Sequence, residues 1–172
     1  MNFPPTFSGN ENNIYAVIET PLGSRNKYNY NTNNGFYELD KILPAGTCFP
    51  MDFGFIPHTL GEDGDPLDVL VIMDIKSFTG CLVESRIIGV MEAEQKEKDG
   101  KKERNDRIIA VSVASHDYSH LKHLKEMNKN YIKELTHFFE YYNSMSGKKF
   151  KIVGLKGPKE GLKLVKQHVV KK

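Results

Sequence analysis

Apolar residues in this chain fall into short blocks, and the spacing inside each block predicts its element. Ile14-Tyr15-Ala16-Val17-Ile18 predicts a strand ending at Glu19-Thr20-Pro21. Residues 27–30 and 36–42 predict a hairpin, with Asn33-Asn34-Gly35 supplying residues that tolerate positive φ in its turn. Residues 49–55 are aromatic and carry Gly and Pro breaks, and Val69-Leu70-Val71-Ile72-Met73 reads as a buried strand. Residues 81–94 start apolar and run into a charged stretch over 92–107, with Asp99-Gly100 as the hairpin tip. Residues 107–114 return as a strand, which makes six or seven strands before any helix.

Helical spacing appears only late. Tyr131, Ile132, Leu135, Phe138, Phe139 and Tyr142 trace one helical face, with Asn130 as the expected N-cap and Gly147 as the stop. A short strand over 150–153 follows. From Pro158 onward, Leu162, Val165 and Val169 share a side, with Lys159, Lys163, Lys166 and Lys172 around them; Gly161 weakens this last helix. Strands first and helices last predict an α+β fold, a small barrel packed by one long helix.

The 172 residues suffice for one domain, 1–172, with a sizeable core; residues 1–13 are polar, rich in Pro and Asn, and read as an arm that is frayed or ordered late. A net charge of +2 gives no ground for a nucleic-acid or membrane partner. No apolar run reaches the ~20 residues of a membrane span. The N-terminus lacks the basic and apolar regions of a signal peptide, and Cys48 and Cys81 are too few and too far apart for a disulfide scaffold. A cytoplasmic protein is expected.

The densest chemistry lies in Asp63-Gly64-Asp65-Pro66-Leu67-Asp68, three carboxylates in a tight turn that opens directly into an apolar strand. Most Asp-rich turns are simply solvated. Here the crowding of acids at a strand mouth calls for a cation, and oxygen-only ligands suit Mg²⁺, Mn²⁺ or Ca²⁺. A calcium EF-hand does not fit: with Asp63 at position 1, position 5 is Leu67, position 6 is Asp68 rather than Gly, and position 12 is Asp74 rather than Glu.

The run Glu62-Asp63-Gly64-Asp65-Pro66-Leu67-Asp68-Val69-Leu70-Val71 resembles the signature of the soluble family I inorganic pyrophosphatases. Residues 14–21, Asn26-Lys27-Tyr28, the segment 53–60 leading into the signature, and His137-Phe138-Phe139-Glu140-Tyr141-Tyr142 resemble that family as well. The resemblance implies an OB-like five-stranded β-barrel with additional strands and flanking C-terminal helices. It also implies Mg²⁺-dependent hydrolysis of inorganic diphosphate (Mn²⁺ being the alternative metal), and a homo-oligomer, with a hexamer favoured over a dimer. Carried over, Asp63, Asp68 and Glu19 become metal ligands, and Asp65 the carboxylate that takes a proton from the attacking water. Lys27, Lys41, Arg107 and Tyr142 become the groups that hold phosphate. Taken alone, Glu19 and Lys27 would read as surface residues and Tyr142 as core.

The chain also departs from the family pattern. Asn29 stands for a Glu, Lys41 for an Arg, Phe49 and Phe53 for tyrosines, and Asn143 for a Lys. Where the family has Asp-x-Lys, this chain has Asn105-Asp106-Arg107, so Asn105 offers a carbonyl oxygen without charge and Asp106 points to the other face of an extended segment. For the remaining metal-binding acid, Glu92 and Glu94 are the candidates, with Glu94 favoured; a solvated charged hairpin is the competing reading. Two functions from other classes stay open: a related hydrolase acting on a nucleotide or organic diphosphate, and a non-catalytic OB-like module with Phe49, Phe53, Phe55, Lys27 and Lys41 on its binding face. The acidic turn argues against the second. His116, His120 and His123 could share a helical face, and read as surface residues.

Overall fold

The computed structural model describes residues 3–96 and 100–170. The expected hairpin tip at Asp99 and the distal Lys172 lie outside the described residues. Eight strands precede the first α-helix: β1 Asn13–Thr20, β2 Asn26–Tyr30, β3 Tyr37–Ile42, β4 Asp52–Phe55, β5 Asp68–Ile72, β6 Leu82–Lys96, β7 Lys102–Arg104 and β8 Arg107–Ser112. Helix α1 (Lys129–Ser144), strand β9 (Lys149–Lys156) and helix α2 (Pro158–His168) complete the chain. The strand not foreseen is β7, three residues inside the charged stretch, where low apolar content hides strand character.

Five strands close a ring: β1 pairs with β4, β4 with β5, β5 with β8, β8 with β6, and β6 returns to β1. Closure removes the exposed edges that an open sheet of this size would carry. The fifteen-residue β6 makes this possible, pairing in turn with β1, β8, β9 and β7. Its pairing register shifts between Ile87 and Gly89 against β8 and between Glu92 and Ala93 against β9. The hairpin β2–β3 forms a separate two-stranded sheet over one end of the ring.

Strands β5 and β8 are buried on both faces, which is why they are unbroken apolar runs. Val69, Val71, Ile108 and Ala110 pack with residues of β1, β6 and α2. Their alternates Leu70, Ile72, Ile109 and Val111 pack with Phe49, Phe53 and the apolar face of α1, including Leu135 and Phe139. Asn128 rather than Asn130 caps α1, its side chain accepting from the Asn130 amide at 2.8 Å. In α2, Gly161 is a packing device: a Cβ there would lie 2.9 Å from Ile87 Cγ2 and 3.1 Å from the Gly89 carbonyl oxygen.

The N-terminal arm is laid against the barrel from Phe3 onward and is not frayed. Phe3 meets Tyr30 and Phe55 edge-on, with centroids 5.1 and 5.3 Å away, and the buried Thr6 hydroxyl donates to the Pro57 carbonyl at 2.8 Å. The histidines 116, 120 and 123 are not on a helix; His116 and His120 sit exposed in turns, and His123 caps a short 3₁₀ turn over Leu124–Glu126.

Gly54 is not a break in β4 but a point where two backbones touch. A Cβ would fall 1.9 Å from the Val17 carbonyl oxygen. Gly54→Ala is therefore expected to destabilise the fold by about 4 kcal/mol or more, because backbone on both sides must move; urea unfolding of the variant beside the wild type checks this.

Candidate active site

The acidic turn hangs from the chain just before it. The Thr59 hydroxyl donates to the Ile56 carbonyl at 2.7 Å and accepts from the Leu67 amide at 2.9 Å, while Ile56 N donates to Leu67 O. His58, at φ 55°, takes a left-handed conformation uncommon outside glycine. Gly61 N donates to Asp65 O, the Asp63 carboxylate accepts from Asp65 N, and Gly64 takes φ 88°. The turn therefore presents Asp63 and Asp65 to solvent and delivers Asp68 at the first position of β5. There the parallel ladder sets Asp68 level with Arg107 of β8.

A cavity of about 630 Å³ opens at this end of the ring. Glu19, Asp40, Asp63, Asp65, Asp68 and Glu103 line it, against Lys27, Lys41, Arg107 and Lys148; carboxylates thus outnumber cations among the described residues. Two of the cations, Lys27 and Arg107, are buried and held from several sides. Lys27, 5 % exposed, donates to Glu19 Oε2 at 3.2 Å, Tyr28 O at 2.8 Å and Asn29 Oδ1 at 2.5 Å, and lies 4.5 Å above the Phe53 ring. The other Glu19 oxygen accepts from Tyr30 N at 2.7 Å. Arg107, 3 % exposed, is sandwiched between the Phe139 and Phe150 rings at 4.4 and 4.5 Å. It donates to Asn105 O, pairs with Asp68 at 3.4 Å, and keeps an Nε without a partner. Lys41 lies 4.9 Å over the Tyr142 ring and reaches the Ser146 hydroxyl.

Burial governs the ionisation of these groups. It pushes the Asp68 carboxyl up to about 6 against the pull of Arg107 and Lys27, although part of the side chain opens to the cavity. Asp63, exposed at the surface of its turn but partly desolvated there, is raised by that desolvation and by repulsion from Asp65 and Glu103, against the hydrogen bond from the Asp65 amide. Desolvation lowers Arg107 and raises the Tyr142 hydroxyl, so that the tyrosine is a neutral donor. Among the described residues no group of three or more His, Cys, Asp or Glu side chains converges into a closed ligand set. The carboxylates are spread around the cavity wall, as mutual repulsion requires. Their oxygen donors, two of them raised by burial and by each other, suit a hard divalent cation, which would relieve both effects.

The family model for inorganic pyrophosphatase matches residues 16–171. The chain belongs to the inorganic pyrophosphatase family. The inorganic pyrophosphatase of Geobacillus stearothermophilus is 34 % identical over 159 residues, covering 92 % of this chain and 93 % of that one. That of Thermus thermophilus is 38 % identical over 144 residues, covering 84 % and 79 %. The crystal structure of an inorganic pyrophosphatase from Thermus thermophilus superposes with a TM-score of 0.88 at 32 % identity, covering 96 % of this chain and 94 % of that one. The five-stranded ring is thus the OB-like barrel of the pyrophosphatases.

Within this pyrophosphatase barrel, the structure brings Glu19, Lys27, Lys41, Asp63, Asp65, Asp68, Asn105, Arg107 and Tyr142 to one cavity. Glu94 is not among them, and its expected role as a metal ligand is corrected. Glu92 and Glu94 do share a strand face, but neither lines the cavity: Glu94 is exposed beside Arg104, and Glu92 pairs with Arg104 in an adjoining cleft against α2 that shares Asp63, Asp68 and Asn105 with the cavity. Asp106 belongs to the same outward side, bound to Arg104 and to the Ala93 amide. By the period of two, Gln95 faces the cavity instead, and the β6–β7 ladder sets Glu103 directly across from it. Lys148 was also missed, since a lysine past a helix end carries no signal of its own. Phe49 is fully buried among Phe53, Phe138 and Tyr142, so this position belongs to the aromatic core.

Lys27→Met would leave Glu19 almost buried and without its cation, and should cost about 2–3 kcal/mol. The double variant Glu19→Gln/Lys27→Met should recover more than half of that loss. Urea unfolding of both single variants and the double one reads the coupling.

Proposed function

We propose that this protein hydrolyses inorganic diphosphate to two phosphates. One observation carries the reading: surplus carboxylates and fixed cations share a single cavity at the barrel mouth. Asp63, Asp68, Glu19 and Asn105, with Asp65 beside them, are the residues that would hold divalent metal, Mg²⁺ before Mn²⁺. When bound, such ions offset the phosphate charge and make water acidic enough to attack near neutral pH.

The chain's own groups do the rest. Asp65, exposed in its turn, accepts the proton that the attacking water loses. The water oxygen bonds to one phosphorus, the bridging P–O bond breaks, and the departing phosphate carries away the bridging oxygen and its charge. Arg107, Lys41, Lys27 and the neutral Tyr142 hydroxyl bind phosphate oxygens as that charge develops. Arg107 is suited to this because two aromatic faces hold its fork before substrate arrives. Lys27 already has three acceptors, so gripping phosphate exchanges one of them, with neutral Asn29 the least costly to release.

Residues 1–172 act as one catalytic domain in this reading, in the cytoplasm. Among the described residues no helix is long and apolar enough to cross a membrane. We further infer a homo-oligomer, a hexamer before a dimer, supported by Phe36, Ile75 and Phe78, each more than two-thirds exposed. Sedimentation equilibrium showing only single chains would refute it.

Phosphate release from diphosphate with Mg²⁺ tests the activity. Wild type should turn over, and Asp65→Asn should lose about 10²–10³-fold in kcat. No turnover with Mg²⁺ or Mn²⁺ would overturn the reading; ADP cleaved faster than diphosphate would move it to organic diphosphates. Because Asn29 and Asn105 bring oxygens without charge, half-maximal activity should need more Mg²⁺ than the Geobacillus stearothermophilus enzyme assayed in parallel.

A further inference from the structure

We propose that Glu103, carried on the short strand β7, is a metal-ligating carboxylate of this cavity. The inference rests on the functional reading above and adds a ligand to it.

The wall formed by β6, β7 and the start of β8 brings Gln95, Glu103, Asn105 and Arg107 to the cavity. Gln95 is buried, and its side-chain oxygen accepts from the Asn105 amino group at 3.1 Å. That bond consumes donor and acceptor between two neutral amides and turns the Asn105 carbonyl oxygen the other way. Arg107 adds positive charge. Among the described residues of this wall, the negative charge therefore comes from Glu103 alone. Its side chain is only 13 % exposed, and it stands directly opposite Gln95 in the antiparallel ladder, so both project from the same face. Neighbouring Glu94 and Arg104 form the next cross-strand pair and project from the opposite face.

Across the cavity stands Asp63, so the two carboxylates line the same space from different elements. The cation paired with Glu103 is Lys101, whose own side chain is 65 % exposed, a partner that solvent screens and that a divalent ion can displace. A hard cation between Asp63 and Glu103, with the Asn105 carbonyl oxygen as a neutral third donor, satisfies oxygen-ligand chemistry and removes the repulsion. The hairpin β6–β7 thereby supplies a charge that the amides Gln95 and Asn105 do not.

The test is Mn²⁺ binding without substrate, measured by calorimetry on wild type, Glu103→Gln and Glu94→Gln. Each substitution removes one charge from the same hairpin, on opposite faces. Glu103→Gln should weaken one class of Mn²⁺ site by about tenfold or more, in line with losing one ligand from a metal site. Glu94→Gln should change it by less than about twofold, an exposed charge counting for little. Equal affinities for wild type and Glu103→Gln, or equal losses in both variants, would overturn the proposal. Neither result depends on turnover: a protein that binds Mn²⁺ through Glu103 but does not cleave diphosphate would refute the function and leave this ligand standing.

Discussion

The parallel pairing of β5 with β8 is the constraint on which the rest of the site depends. It sets Asp68 level with Arg107 at one end of both strands, and Val69 with Ile108 next to them. A slip of one residue would turn every side chain of these strands to the opposite face. Such a slip is blocked from two sides, because alternate residues pack either against α1 or against β1, β6 and α2. Two-sided burial thus fixes a charge pair to within one residue, at the position where the acidic turn ends. The turn needs only its own short hydrogen bonds to Thr59 and Ile56 to hold Asp63 and Asp65 at the same mouth.

The cavity's electrostatics follow from how its cations are carried. Arg107 between two rings and Lys27 above Phe53 are cations set on aromatic faces, which hold them in place with little access to water. The carboxylates divide: Asp63 and Asp65 stand exposed at the rim, while Glu19 and Asp68 lie deeper, paired with Lys27 and Arg107. A polyanionic substrate complements the cations, and divalent cations complement the acids. The amides Asn29, Gln95, Asn105 and Asn143 all line this space. Each preserves hydrogen bonding while contributing no charge, so the cavity keeps its shape with a smaller electrostatic field than acids and lysines at those positions would give.

Much of the architecture was legible because local pattern and tertiary demand agree. The unbroken apolar run after Asp68 matches a strand buried on both faces, the Asn-Gly dipeptide matches the hairpin turn, and the spaced aromatics of α1 follow the helical period. The missed features lacked such a local signal. Strand β7 has no apolar face and exists because β6 offers it a ladder. The N-terminal arm reads as polar, but Phe3 and Thr6 find partners on the barrel more than twenty residues away. Gly161 weakens a helix by propensity and is required by contact with β6.

The sequence by itself determined the acidic turn, the strand it feeds, the late helix and the residue types able to do phosphate chemistry, because these depend on neighbours along the chain. Which acid of the charged stretch faces the cavity was decided only by the tertiary structure. Glu92, Glu94 and Glu103 are chemically alike, and the sequence pattern pointed to Glu92 and Glu94, with Glu94 favoured, rather than to Glu103. The ladder between β6 and β7 sorts them: Glu94 is paired with Arg104 and turned to solvent, Glu103 is paired with Gln95 and turned inward. A strand has two faces, and local composition cannot say which of them the rest of the fold will cover.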